Sequence, residues 1–324
     1  MQSDFFYLID KIRNAPFCDE PFRHIEIRQF LSPEHFEAVT SDRQVALPRV
    51  GTTEDLIQSL DDHGYKIIPF PGCVTSSKEY LKWFNDGTGR QIHGATESFG
   101  IAFRLSDPKS TVLSELNAFL VSDEMQAALI DKFGIERPVT IDAGLQKYLH
   151  GYEISPHPDI RRKALTWMLN INPGQDSEAA VIHTHYLRLK DSWSFVSEFW
   201  KGNGDLDRDW LPWDWCETVK QQTDNNSIII FSPSNDTLHA VKADYDHLKF
   251  QRTQMYGNLW YEENKIPKAP YTDFDISSKI KKRHQRQRER AAPIDRFKAT
   301  PLGQTVIAVK NAVLGKSVDT VRKV

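Results

Sequence analysis

The rhythm of apolar positions changes near Val139. Before it, helix-like spacing predominates, broken by short alternating runs. Residues 1–20 read as a short helix or an irregular lead-in. His24–Gln29 (HIEIRQ) alternates with the period of two expected of a strand. The stretch Phe30-Leu31-Ser32-Pro33-Glu34 then opens a helix. Ser32 suits the N-cap, Pro33 the first helical position, and Glu34 puts a negative charge where the helix dipole favours it. Tyr65–Pro69 and Phe99–Leu105 read as strands, and Ser76–Asn85 and Thr111–Phe133 as helices.

From Val139 onward the pattern is β-rich. Candidate strands are Val139–Leu149, Ala164–Ile171, Ala180–Leu189, Ser227–Phe231 and Gln251–Tyr261, separated by clusters of Asn, Pro, Gly and Asp. Short strands joined by loops, without regular intervening helices, predict a mainly β (α+β) domain of sandwich or jelly-roll type with flanking helices. Ser192–Thr218 carries five tryptophans and reads as a long insertion, of a length often used for lids. The strand pattern stops after about Ile266. These shifts divide the chain into a lead-in (1–23), a β-rich domain with N-terminal helices (24–265) and a C-terminal extension (266–324).

Charge sharpens that last boundary. From Lys279 to the end, 13 Lys/Arg face three acids, a balance of +10. With a whole-chain charge of −3, the first 278 residues carry about −13. The basic run Lys279–Arg290 (KIKKRHQRQRER) suits a solvated end or an anionic partner. No aromatics interleave it, so nothing favours nucleic acid. Cys18, Cys73 and Cys216 form neither a disulfide framework nor a CxxC metal site, which fits a reducing compartment. The N-terminus lacks a basic start followed by an apolar core, and no apolar run approaches the ~20 residues of a transmembrane helix. A cytoplasmic location is expected.

The candidate chemistry begins at Ser155-Pro156-His157-Pro158-Asp159, where an imidazole and a carboxylate stand two residues apart at a strand end. In an extended chain such positions face the same way and can grip one cation. Alone the pair is weak evidence, because a turn capped by Asp159 explains it equally. Downstream, His239 follows the apolar strand Ile228–Phe231, and Arg252 opens another strand thirteen residues later. Two histidines and one carboxylate on one face of a metal leave positions open, as in non-haem iron(II) oxygen chemistry. A neighbouring arginine can hold a dicarboxylate through paired hydrogen bonds.

Three stretches carry a family resemblance. Phe30–Val39 (FLSPEHFEAV), Leu145–Asp159 (LQKYLHGYEISPHPD, with Tyr148, Gly151 and Ile154 in register) and Phe231–Tyr261 (the distal His, then Arg-x-x-apolar-x-Gly) resemble the prolyl-4-hydroxylase-like branch of the iron(II)/2-oxoglutarate oxygenases. The resemblance spans roughly residues 24–261. It implies a double-stranded β-helix (jelly roll, cupin-like), with Fe(II), 2-oxoglutarate and O2 as cofactor and co-substrates. It also implies His157, Asp159 and His239 as metal ligands, and Arg252 and Tyr148 on the 2-oxoglutarate carboxylate. Thr166 or Asn170 would lie on the strand lining the pocket.

Two departures stand out. The gap from His239 to Arg252 is slightly long, which makes Lys249 a rival anchor. The family's Gly-Gly-x-Thr segment is replaced by Val181-Ile182-His183-Thr184-His185. His183 and His185 share a strand face, but no glutamate follows to complete a cupin-type site. Arg161 and Arg162 are candidates for an anionic substrate group, and the Trp-rich stretch for an aromatic wall. The expected activity is hydroxylation of an unactivated C–H bond in a small molecule, sugar or protein side chain. A zinc hydrolase with the same ligands and a silent jelly-roll binding protein are the alternatives; the first lacks an HExxH or similar glutamate pattern.

Overall fold

Alternating runs rich in β-branched and aromatic residues organise this chain into two antiparallel sheets. A computed structural model describes residues 3–69, 73–87, 100–262 and 300. The chain divides into two units, Met1–Pro267 and Lys268–Val324, and of the second only residue 300 is described. The basic run Lys279–Arg290 therefore lies outside the described residues, as does Phe99.

The N-terminal part supplies α1 (Tyr7–Asn14), β1 (Phe17–Cys18), β2 (His24–Arg28), α2 (Pro33–Thr40), α3 (Thr53–Asp62), β3 (Tyr65–Ile68), α4 (Ser77–Asp86), β4 (Ala102–Leu105), α5 (Thr111–Leu120) and α6 (Asp123–Phe133). The remainder supplies β5 (Val139–Tyr148), β6 (Glu153–His157), β7 (Lys163–Asn170), β8 (Thr184–Leu189), α7 (Phe195–Gly202), β9 (Cys216–Gln222), β10 (Ser227–Phe231), β11 (His239–Lys242) and β12 (Arg252–Tyr261).

The larger sheet runs β1-β2-β10-β7-β12-β5-β4-β3 and the smaller β6-β11-β8-β9. Strands β5 to β12 make the jelly roll. β5, β7, β10 and β12 are neighbours in the larger sheet, while β6, β8, β9 and β11 form the smaller one, so the chain passes repeatedly between the two. β3 and β4 extend one side of this core and β1 and β2 the other; the sheets do not close into a barrel.

β12 shows how the sequence builds two different faces. Met255 and Leu259 join the main apolar cluster with residues of the N-terminal helices. The alternate residues Arg252, Gln254, Tyr256, Asn258 and Trp260 line a cavity instead. Gly257 sits where a Cβ would come within 2.1 Å of the Trp167 ring. The Arg-x-x-apolar-x-Gly spacing thus has a packing reason: Trp167 on β7 lies flat over a strand that must lack a side chain there.

The N-terminal helices cover the apolar face. α1 buries Leu8, Ile9 and Ile12 and packs against α6, so the first residues are part of the core. Each such side chain contributes about 1.5–3 kcal/mol when fully buried. α2 begins as its sequence predicts, with the Ser32 side chain accepting from the His35 N–H at 3.2 Å.

The expected single helix Thr111–Phe133 is two. Ser122 leaves the helical path and caps α6, accepting from the Met125 N–H at 3.2 Å. The strand expected from Ala180 starts only at Thr184, because a short 3-10 turn, Gln175–Ala179, precedes it. No helix among the described residues is long and apolar enough to cross a membrane.

Candidate metal centre and its cavity

His157 ends β6 and His239 opens β11, and the two are direct cross-strand partners. Their ring centroids lie 4.3 Å apart. Asp159 joins them by a turn, not by strand alternation. β6 stops at His157, so Asp159 lies beyond the extended segment. Asp159 instead has φ 63°, a left-handed conformation that Asp tolerates better than most residues. The turn brings one carboxylate oxygen 3.6 Å from His157 Nε2 and the other 3.7 Å from His239 Nε2. The loop before His239 is pinned to this turn: the Thr237 hydroxyl donates to the Pro158 carbonyl at 3.3 Å.

The three donors lie within 4.8 Å of one another. Each imidazole has its Nδ1 against a backbone carbonyl two residues earlier, Ser155 for His157 (2.8 Å) and Thr237 for His239 (3.1 Å). Nδ1–H donation there leaves the Nε2 lone pairs facing the shared centre, the arrangement a metal needs. Burial, with His157 alongside, pushes His239 down to about 3, so it is neutral at ordinary pH. Burial alone would raise the Asp159 carboxyl, but Lys163, His239 and His157 together hold it well below the usual carboxylate range. Asp159 is further fixed by Lys163 Nζ at 2.6 Å and by the Thr166 hydroxyl at 2.7 Å.

This centre opens on a cavity of about 360 Å³ between the two sheets. Arg252, 3% exposed, lies on its wall. Arg252 Nη2 donates to the Thr184 hydroxyl at 3.0 Å, and its guanidinium sits 4.5 Å from the centroid of the Tyr148 ring. No carboxylate pairs with Arg252 among the described residues. Lys249, by contrast, is exposed and lies 3.9 Å from Asp246.

Tyr148 lines the cavity, with its hydroxyl on Gln146 Oε1. Thr166 and Asn170 do not line it. Thr166 steadies Asp159, while Asn170 donates to the Gln222 and Asp224 carbonyls at 3.1 Å each and accepts from Gln254 at 2.7 Å. Both sit on the strand that the resemblance singled out, but behind the wall.

The remaining expectations fare unevenly. Arg161 does not reach the cavity; it donates to the Leu206 and Trp200 carbonyls at 2.6 and 2.7 Å. Arg162 lies beside the Trp260 ring, 5.9 Å from its centroid. His183 bonds the Glu178 carbonyl (2.9 Å) and His185 the Thr218 hydroxyl (2.9 Å), and neither lines the cavity. Of the five tryptophans in the insertion only Trp210 does; Trp200 is buried in a separate apolar cluster, and Trp193 and Trp215 stack at 3.8 Å.

Among the cavity residues that escaped sequence reasoning are Lys163, Thr184, Arg208 and Tyr256. Thr184, between the two unhelpful histidines, had a signal, since it is the threonine of the segment standing where the family has Gly-Gly-x-Thr. The others had none, because their contacts come from strands or loops far apart in sequence.

No family model matches the chain, and neither does any curated protein. Solved structures with a similar fold include a Pseudomonas putida prolyl-4-hydroxylase, at 10% identity and TM-score 0.41, covering 80% of this chain and 100% of that one. A Trichoplax adhaerens prolyl hydroxylase, in complex with a hypoxia inducible factor oxygen degradation domain peptide fragment, matches at 12% identity and TM-score 0.31, over 66% of this chain and 95% of that one. A Burkholderia pseudomallei oxidoreductase of the 2OG-Fe(II) oxygenase family matches at 11% and 0.31, over 68% and 94%. At such identities and TM-scores nothing about activity follows from the likeness.

Proposed function

We propose that this protein is an Fe(II)/2-oxoglutarate-dependent dioxygenase that hydroxylates an unactivated C–H bond. The observation that carries the reading is Arg252 beside the His157, Asp159 and His239 triad. A buried arginine without an acid is costly, by several kcal/mol, unless an anion joins it. An arginine in the same cavity as two imidazoles and one carboxylate suits a dicarboxylate that also reaches the metal. The donor set fits iron(II): two Nε2 lone pairs and one ionised oxygen on one side, with the cavity on the other.

Bound there, iron with 2-oxoglutarate would supply oxygen activation, with release of succinate and carbon dioxide. The chain's own residues do the positioning. Ser155 and Thr237 carbonyls fix the two imidazole tautomers. Lys163 and Thr166 hold Asp159 ionised and oriented. Arg252 pairs with the far carboxylate of 2-oxoglutarate, seated on the Tyr148 ring and steadied by Thr184. The Trp-rich insertion covers one side of the cavity through Arg208 and Trp210. No glutamate lines the cavity among the described residues, so a zinc hydrolase would lack its usual general base.

The test is aerobic turnover of 2-oxoglutarate with Fe(II) over pools of small molecules, sugars and peptides. Succinate release that needs iron supports the reading. Purification with zinc and no 2-oxoglutarate consumption under any condition overturns it.

A further inference from the structure

The cavity holds more positive charge than one co-substrate explains. Arg104, Lys163, Arg208 and Arg252 line it, against Asp142 and Asp159. Arg104 pairs with Asp142 at 3.1 Å and Lys163 with Asp159 at 2.6 Å. That leaves two arginines without an acid, before any metal dication is added. Arg252 has been accounted for. Arg208 has not.

Arg208 is 9% exposed and comes from the Trp-rich insertion. Its Nε donates to the Asp159 carbonyl at 3.0 Å. Its terminal nitrogens have no hydrogen-bond partner among the described residues. The neighbouring Asp207 does not neutralise it by contact: that carboxylate accepts from the backbone N–H groups of Arg161 (3.0 Å) and Arg208 (2.9 Å).

The side chain is also held in place rather than loosely disposed. Asp207 clamps its loop to the residue two places after Asp159. Arg161 grips the Leu206 and Trp200 carbonyls, and the Leu211 N–H donates to the Pro156 carbonyl at 2.8 Å. The insertion is therefore fastened to both sides of the metal motif, and Arg208 is the cation this fastening presents to the cavity. Arg252 is four residues along β12 from Tyr256, about 13 Å. Tyr256 accepts from Lys163 at 2.7 Å, and Lys163 in turn holds Asp159, on which Arg208 rests. The two guanidinium groups thus rest on different neighbours, Arg252 on the Thr184 hydroxyl and the Tyr148 ring and Arg208 on the Asp159 carbonyl.

We propose that Arg208 is the anchor for an oxyanion of the primary substrate, so that the molecule oxidised carries a carboxylate or phosphate group. This rests on the oxygenase reading, with 2-oxoglutarate on Arg252. The planar fork of Arg208 can take two oxygens of either group, with Nε kept on the Asp159 carbonyl. Trp210, on the same loop, supplies an apolar wall beside it.

The test needs no knowledge of the substrate. The full-length protein, loaded with Mn(II), is treated with phenylglyoxal, and modified arginines are mapped by mass spectrometry. This is done with and without 2-oxoglutarate, and with inorganic phosphate or acetate as probe. The expected result is that Arg208 reacts in the free protein and is slowed about tenfold by a probe at about ten times its Kd, with 2-oxoglutarate already present. Protection by phosphate alone assigns a phosphorylated substrate, and protection by acetate a carboxylate. Arg208→Lys, titrated with the protecting anion by calorimetry in the same Mn(II)- and 2-oxoglutarate-loaded state, should bind it at least about tenfold more weakly, because the fork is lost while the charge stays. An Arg208 that is unreactive throughout, or equally reactive with every probe, overturns the proposal. Failure of 2-oxoglutarate to shield Arg252 is a separate result and strikes the oxygenase reading instead.

Discussion

Asp159 answers to several neighbours at once: it faces two imidazoles, accepts from Lys163 and Thr166, and bends the chain through a left-handed turn. Removing one support should loosen the metal. Thr166→Val keeps the shape of a fully buried side chain but drops the donor to Asp159, so metal affinity should fall about 10–100-fold in chelator competition. Unchanged affinity would mean that Thr166 is only packing. Arg252→Gln should weaken 2-oxoglutarate by roughly 2–3 kcal/mol, about 30- to 200-fold, measured by calorimetry on the metal-loaded protein. Lys249→Gln should leave it unchanged, and the reverse pattern would reassign the anchor.

That His157, Asp159, His239 and Arg252 meet at one cavity was legible because each sits in a local motif with its own spacing. Thr166 and Asn170 were on the right strand, but which contacts they make is decided by Asp159 and Gln254, from other strands. Arg208 had no motif at all. Its place depends on Asp207 and Arg161 fastening an insertion that sequence reading could only describe as tryptophan-rich.

At the level of elements, β12 and β7 carry most of the positional information. Gly257 permits Trp167 to lie across β12. Gly257→Ala would drive a methyl group into the ring and should cost about 1–3 kcal/mol or more in urea unfolding, with the slope of the transition unchanged. A neutral result would mean that the ring can move aside freely. The long strands β5, β7, β10 and β12 were readable because they are apolar or alternating over five residues or more. Of β6 only the end at His157 was read as strand, without bounds, and β11 was not read as a strand. β11 is four residues long, and its register bulges between His239 and Val241. The split of α5 from α6 turned on one serine, a choice that helix periodicity does not register.

Across the whole first unit, the jelly roll places polar chemistry on one side of the larger sheet and the helices on the other. Lys147 is an exception on the helical side. It is fully buried, donates to the Val45 carbonyl (2.6 Å) and the Thr253 hydroxyl (2.8 Å), and burial lowers it to about 7. The folded protein then releases this proton at lower pH than the unfolded chain does. Below about pH 7 both states are protonated and the burial cost stands in full. Between about 7 and the ordinary lysine value of 10.5 the unfolded chain binds more protons, so stability rises with pH, by at most about 1.4 kcal/mol per pH unit. Lys147→Met should remove that rise, visible as the difference between the two proteins in urea titrations across the window. Parallel curves would show that Lys147 titrates no differently once folded.

The central claim is that one ion and one dicarboxylate meet between His157, Asp159, His239 and Arg252. The most direct measurement is anaerobic calorimetric titration of the purified chain with Fe(II) and then 2-oxoglutarate. The account predicts one iron per chain, lost in His157→Ala, and one 2-oxoglutarate whose binding requires that iron and collapses in Arg252→Gln. Iron that binds equally well without His157 or His239, or 2-oxoglutarate that binds equally well without Arg252, would contradict it.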